Sequence, residues 1–513
     1  MIEYGGRLTF RAILIISQTF LLLILLCLMY VAPLGASAWI VWLGLGLFYC
    51  YFAAALCRPV RIMPSIPSYM SIEILFLTFY YLLFYLPNQA YVLNAADLYQ
   101  NRFLTYTYAW ETNRAMIAAS LGMVSFCLGL RILRDFVPSR DASLSASEFD
   151  AKKTQYRGFG ALVLTLLIAL ILVYQTAGWH SADEGRYTSI TSGGSVADGI
   201  YLLITMLCII SIATTAAKLA QRQSFGPALW LSLCIVCYWA VRILLNGDRN
   251  NFMLLAVAAG GGFLTYRFRG SRFLLVGCLF AALALYNGVE VLRMAQHRSS
   301  EALIHDIFTS GVGEDPNGSS FSISTIGLRA SLAVVPSAED FGYGRYKLIG
   351  LAGIIPFIRG SMLSDTSKFT NTAQVLSYHV LGPNPTWSVG SNIISDIYID
   401  FGYMGIPVFM LLVGFSAGYI ERWAMHNPYS VKTVTIYLMA LGLYAELPRY
   451  TLDFPVRMLV WTLLLLWTYE IWFGAKHRRT ALRRSRIIER WRFGKLTSRG
   501  LAAKDGSYGK KLS

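Results

Sequence analysis

The sequence predicts an all-α, polytopic integral membrane protein with about a dozen transmembrane helices, and three observations carry that reading. Of its 513 residues 56% are hydrophobic and only 14% are charged, whereas soluble chains carry about a quarter charged residues. Mean hydropathy is +0.51. The apolar residues are gathered into separate runs near the roughly 20 residues that a helix needs to cross a ~30 Å hydrocarbon core. The alternating ten-residue pattern of a membrane β-barrel is absent. Such runs must therefore satisfy their own backbone as helices.

The runs fall at 12–32, 38–57, 68–86, 114–133, 158–176, 198–217, 227–245, 252–266, 273–292, 397–420, 432–447 and 456–474. The first has too long an apolar core for a cleaved signal peptide, and no small-residue cleavage site follows it. The order predicts a helical bundle over 1–292, a large extracytoplasmic loop over 293–396, a second bundle segment over 397–474 and a basic tail over 475–513. Within the loop, ISTIGLRASLAVV and LIGLAGIIPFI are apolar but short, and read as interfacial or re-entrant helices in a folded cap. The outer loops 87–113 and 177–197 are polar and aromatic. Their Tyr and Trp suit sugar faces and equally suit an interfacial belt.

A formal net charge of +16 would suggest nucleic acid in a soluble chain. Here thirteen Lys and Arg lie in the tail, among them Arg478, Arg479, Arg483, Arg484 and Arg486, and six more lie from Arg131 to Arg157. With a cytoplasmic N-terminus both groups fall on the cytoplasmic side, as the positive-inside rule requires. The tail then reads as a topology determinant against anionic membrane lipids rather than a nucleic-acid site. The eight cysteines lie in or at the ends of predicted spans, so no disulfide framework is implied. Cys234-x-x-Cys237 sits in an apolar run and reads as two small packing residues. The six histidines form no i,i+4 pair. Walker, Rossmann and GxSxG motifs are absent as well, so no metal or cofactor is called for.

The informative charges lie at outer membrane depth. Arg242 sits within WAVRILLNGDRNNFM, with Asp248 and Arg249 in the turn before the 15-residue run 252–266. Arg293, Arg298, Arg329, Arg359, Arg449 and Arg457 share that side. An arginine at mid-bilayer costs about 2.5–3.5 kcal/mol on insertion scales, which calls for an anionic partner. A guanidinium fork suits phosphate or pyrophosphate, and snorkelling to headgroups is the plainer alternative. Arg242, Arg249, Arg293, Arg329 and Arg359 are the candidate pyrophosphate-binding residues. The segment closing the loop, WSVGSNIISDIYIDFGYMGIPVFMLLVGF, places Asp396 and Asp400 on one face of a helix start. Capping, pairing with the loop arginines and general-base chemistry are all open to them. Gly402 and Gly405 are expected to permit close helix approach, and Pro407 to kink the span.

At these residues the sequence resembles the Wzy-type O-antigen and oligosaccharide repeat-unit polymerases. The resemblance rests on an acid and an aromatic followed by F-G-x-x-G entering a late span, on the turn NGDRNNFMLLAV, and on one large loop before the last spans. Asp396 stands where glutamate is expected, and Asp400 where asparagine is frequent. The resemblance implies a GT-C-like membrane glycosyltransferase in the bacterial inner membrane, both termini cytoplasmic. It implies transfer of a growing glycan from undecaprenyl pyrophosphate to a lipid-linked repeat unit at the periplasmic face. It further implies that Asp396, Asp400 or His379 activates the acceptor hydroxyl, and that a flippase and a chain-length regulator are partners. An O-antigen ligase using His379 or His305, and a lipid-linked oligosaccharide flippase, are the competing readings.

Overall fold

The computed structural model describes residues 2–63, 66–101, 103–136, 156, 158–177, 194–245, 248–268, 273–279, 281, 320–355, 369–385 and 387–474, the side chains of 2–11, 136, 194, 195, 245, 249, 320, 473 and 474 excepted. The chain opens with α1 (Ile2–Val31) and α2 (Ala38–Cys57), then a short antiparallel ribbon, β1 (Val60–Met63) and β2 (Ile66–Ser68). Next, α3 (Ile72–Tyr80) runs through a π-helical turn at Tyr81–Tyr85 into α4 (Leu86–Val92). The helices α5 (Thr112–Arg131), α6 (Phe159–Thr176), α7 (Gly194–Ala220), α8 (Pro227–Leu245) and α9 (Arg249–Tyr266) follow. The predicted cap contributes α10 (Ser320–Val334), α11 (Arg345–Ala352) and α12 (Thr372–Leu381). The chain returns through α13 (Ile393–His426), α14 (Val431–Glu446) and α15 (Asp453–Tyr469).

Among the described residues, eight helices are long and apolar enough to cross a membrane: those built on α1, α2, α5, α6, α7, α8, α13 and α15. The predicted spans at 68–86, 252–266 and 432–447 are also helical. The first is broken by its π turn, the second opens on Arg249-Asn250-Asn251, and α14 has only 16 residues. The predicted run 273–292 falls mostly outside the described residues, as does the tail 475–513. Large apolar side chains such as Phe20, Trp39, Leu172, Trp230 and Trp467 stand exposed on the bundle's flanks, where lipid is their natural solvent. All eight cysteines are free, and Cys234 and Cys237 face outward on α8 rather than packing inward.

Helices α5 and α13 form the central pair. Added Cβ atoms at Gly129, Gly414 and Gly418 would collide with the backbone of Leu411, Phe126 and Leu130 respectively. Small residues thus let two backbones touch, the mode by which helices associate where water supplies no drive. This contact was expected at Gly402 and Gly405. Gly402 instead carries φ +66 and marks the kink of α13, because glycine alone adopts that region without penalty. The kink therefore falls at Gly402 rather than Pro407. Gly414→Val is expected to push α5 and α13 apart, costing about 1–3 kcal/mol or more. Thermal unfolding of the detergent-solubilised protein measures it.

The π turn has a local cause. Pro87 has no N–H and its ring crowds the carbonyl four residues back, at Leu83, so the ladder re-registers. The Leu83 carbonyl accepts a hydrogen bond from Thr325 of α10. A proline in α4 thereby makes a docking point for α10. At the other end of α5 lies a charge cluster that inspection of the sequence missed. Buried Glu73 pairs with Arg131 at 2.7 Å and Arg134 at 2.9 Å. Arg134 also meets buried Glu421 at 3.2 Å, and Glu421 accepts the Ile72 N–H at 2.9 Å. These bonds pin α3, α5 and α13 together at the end remote from α10.

Candidate functional site

Helix α10 is a 15-residue element, about 22 Å long and too short to span a bilayer. It packs against the π turn, α5, the turn at Ala109–Glu111, α12 and α13. Its buried face carries Arg329, which is only 2% exposed. One guanidinium nitrogen donates to Asn88 Oδ1 of α4 at 2.7 Å, and its Nε has no hydrogen-bond acceptor. Among the described residues no carboxylate forms an ion pair with it. Burial lowers its pKa to about 10, so it stays charged at neutral pH. A buried cation without an anion is costly.

One helical turn past Arg329, on the same face, Leu332 and Ala333 line a cavity of about 590 Å³. Tyr30 of α1 and Phe341, Tyr398 and Tyr403 form aromatic walls, and Glu111 and Arg114 supply charge. Tyr398 donates to the Val335 carbonyl at 2.8 Å and so joins α13 to the end of α10. The Gly402 kink lies in the wall, facing Phe341. Both Glu111 and the cavity escaped sequence inspection. The one available signal was an acid three residues before an apolar run that opens on Arg114.

Asp396 and Asp400 lie together, as their spacing predicts, and Lys347 of α11 lies between them. Its ammonium is 2.8 Å from Asp396 and 3.1 Å from Asp400. Asp396 also accepts from Thr372 Oγ1 at 2.7 Å and from the Leu452 N–H at 3.0 Å. Asp400 accepts the N–H groups of Tyr346 at 3.3 Å and Lys347 at 3.1 Å, capping the first turn of α11 from another helix. A Cβ at Gly342 would collide with Asp400. Every carboxylate oxygen of the pair is engaged, and both residues are buried. The loop cation that meets them is a lysine, not one of the predicted arginines.

His379 lies on α12 seven residues beyond Thr372, roughly 10 Å along the helix, and its Nε2 is 3.3 Å from Glu339. Arg242, in the last turn of α8, lies over the rings of Tyr174 and Trp239 at 5.5 and 5.7 Å. Its helix packs on α6, α7 and α9, whereas α10 packs on α5 and α13, so Arg242 and Arg329 belong to different regions. Asp248 caps α9 and accepts from Tyr201 at 3.0 Å. The backbone of Arg249 opens α9, but its side chain lies outside the described residues, as do Arg293 and Arg359.

The fold and this site define a multi-pass helical membrane protein with an aromatic-lined recess that carries Glu111 and Arg114. The family described as O-antigen polysaccharide polymerase Wzy matches residues 13–477. The chain belongs to that family. No curated protein and no solved structure matches it. Family membership makes it a bacterial membrane protein of polysaccharide biosynthesis with a polymerising, glycosyltransferase-like activity.

Proposed function

We propose that the chain lengthens a glycan at the periplasmic face of the inner membrane, with both termini cytoplasmic. It moves the growing chain from undecaprenyl pyrophosphate onto a lipid-linked repeat unit without a metal. The observation that carries this reading is Arg329, a desolvated guanidinium with no carboxylate ion pair among the described residues, in a chain of the polymerase family. A pyrophosphate leaving group supplies the missing anion. A fixed donor in a water-poor site stabilises the negative charge developing on it, an effect of about 2.7–4 kcal/mol for one good donor. Arg293 and Arg359 remain further candidates for the same task, whereas Arg242 and Arg249, in another region of the bundle, would meet an anion there. Asp396 and Asp400 are assigned to positioning, since their oxygens already hold Lys347, α11 and the start of α15. His379 remains a candidate proton carrier on the cap.

Glycans of a deletion strain provide the test. Loss of the polymerase leaves single repeat units on the acceptor. Full-length polymer retained on undecaprenyl pyrophosphate would instead identify a ligase. Single lipid-linked units facing the cytoplasm would identify a flippase.

A further inference from the structure

We infer that the cavity between α1, α10 and α13 is the acceptor-sugar subsite, and that Glu111 is the base that takes the acceptor hydroxyl's proton. This rests on the polymerase reading above and adds a residue to it. The two acids that the sequence singles out have no free oxygen, being held by Lys347, Thr372 and backbone N–H groups. Glu111 differs. It is 5% exposed and lines the cavity, and its one described partner, Arg114, holds it loosely at 3.4 Å. The wall also carries the rings of Tyr30, Phe341, Tyr398 and Tyr403, among aliphatic residues such as Leu332 and Val335. Ring faces with one carboxylate and one guanidinium suit a pyranose, which has apolar C–H faces and a polar rim. A volume of about 590 Å³ is within the ordinary range for small-molecule sites, about 300–1,000 Å³.

Arg329 does not itself line the cavity; it lies one helical turn away from it on α10. Arg329 and the cavity residues Leu332 and Ala333 share one face of α10, and α10 packs on the Ala109–Glu111 turn. In the step, the acceptor oxygen forms a bond to the donor sugar's C1 as its proton passes to the Glu111 carboxylate. The C1–O bond to the pyrophosphate breaks, and its electron pair leaves on the phosphate oxygen beside Arg329. Arg114 is a positioning residue whose guanidinium meets the Glu111 carboxylate at 3.4 Å. The other titratable groups lining the cavity are the phenols of Tyr30, Tyr398 and Tyr403 from α1 and α13, while α10 contributes Leu332 and Ala333.

The test uses the full chain in proteoliposomes, with lipid-linked repeat units extracted from the deletion strain as substrate. Glu111→Gln is expected to lower kcat about 10²–10⁴-fold with KM little changed, and to remove the acid limb of the kcat/KM profile. Glu111→Asp should keep that limb at reduced rate. Tyr403→Ala is expected to raise the acceptor KM by roughly tenfold, the equivalent of one lost ring contact. A Glu111→Gln protein within about threefold of wild type would sink the base assignment. Should that variant insert poorly, Glu111→Asp lacking the acid limb would overturn it equally. If Tyr403→Ala impaired only donors with a full-length polyprenyl chain and spared short-chain analogues, the cavity would hold lipid and the sugar assignment would fall. A deletion strain that still made polymer would remove the polymerase reading itself, an outcome separate from all of these.

Discussion

Arg329→Met is expected to abolish polymer while leaving the protein inserted and at least as heat-stable as wild type. The two halves of that outcome come from one observation. Arg329 is buried, donates one hydrogen bond to Asn88 and has an unsatisfied Nε. Desolvating a charge without an anionic partner costs several kcal/mol. An apolar side chain of similar length removes that cost. It leaves Asn88 Oδ1 without its donor, a loss of about 1–3 kcal/mol. If the arginine is kept for a ligand, removing it lowers polymerisation at least ~100-fold, the usual effect of deleting one fixed donor. Arg329→Lys should recover only part of the rate, because an ammonium lacks the planar fork. In-vitro polymerisation and thermal unfolding, read on the same preparations, check both halves. An active Arg329→Met protein would remove the pyrophosphate role.

Glu73→Ala is expected to act in the opposite sense, on stability rather than chemistry. Its carboxylate takes both Arg131 and Arg134 at the end of α5. Removing it leaves Arg131 without its carboxylate and Arg134 with Glu421 and Asp135 among the described residues. Breaking a buried pair from one side typically costs about 3–5 kcal/mol, a large part of a domain's margin. Folded yield in membranes should drop sharply. Glu73→Gln should be milder, since an amide oxygen still accepts from Arg131. Wild-type yield and unfolding temperature in Glu73→Ala would show that the cluster is dispensable.

Much of the helical architecture could be read from hydropathy, because a span must be long and apolar whatever it packs against. What hydropathy could not supply was pairing. Glu73 in an apolar run registers only as a cost, since its partners lie at Arg131 and Arg134, and the linked Glu421 lies far along the chain. The glycines show the same limit. Gly402, Gly405, Gly414 and Gly418 look alike in sequence, yet one bends its helix and two accept another backbone, because only the neighbour's position separates those uses. Asp396 and Asp400 were legible as a pair by their four-residue spacing, while Lys347 was not, being on a different helix. Arg329 was found as one arginine among several. Its distinction is a lack of carboxylate partners among the described residues, which a sequence does not display.

The backbone contact between α5 and α13 bears on how a bulky glycan reaches the recess. Touching at Gly129, Gly414 and Gly418 and cross-linked by charge at one end, the two helices behave as a single stiff beam. Glu111, at the start of α5, is thus anchored to a wall that does not give, and Tyr398, beyond the Gly402 kink, is held by its bond to Val335. Widening of the recess has to come from the opposite wall, where Tyr30 ends α1 and Phe341 lies in the chain between α10 and α11. A cross-link from α1 to that chain should therefore stall elongation without loosening the fold, whereas stiffening the beam further should change nothing.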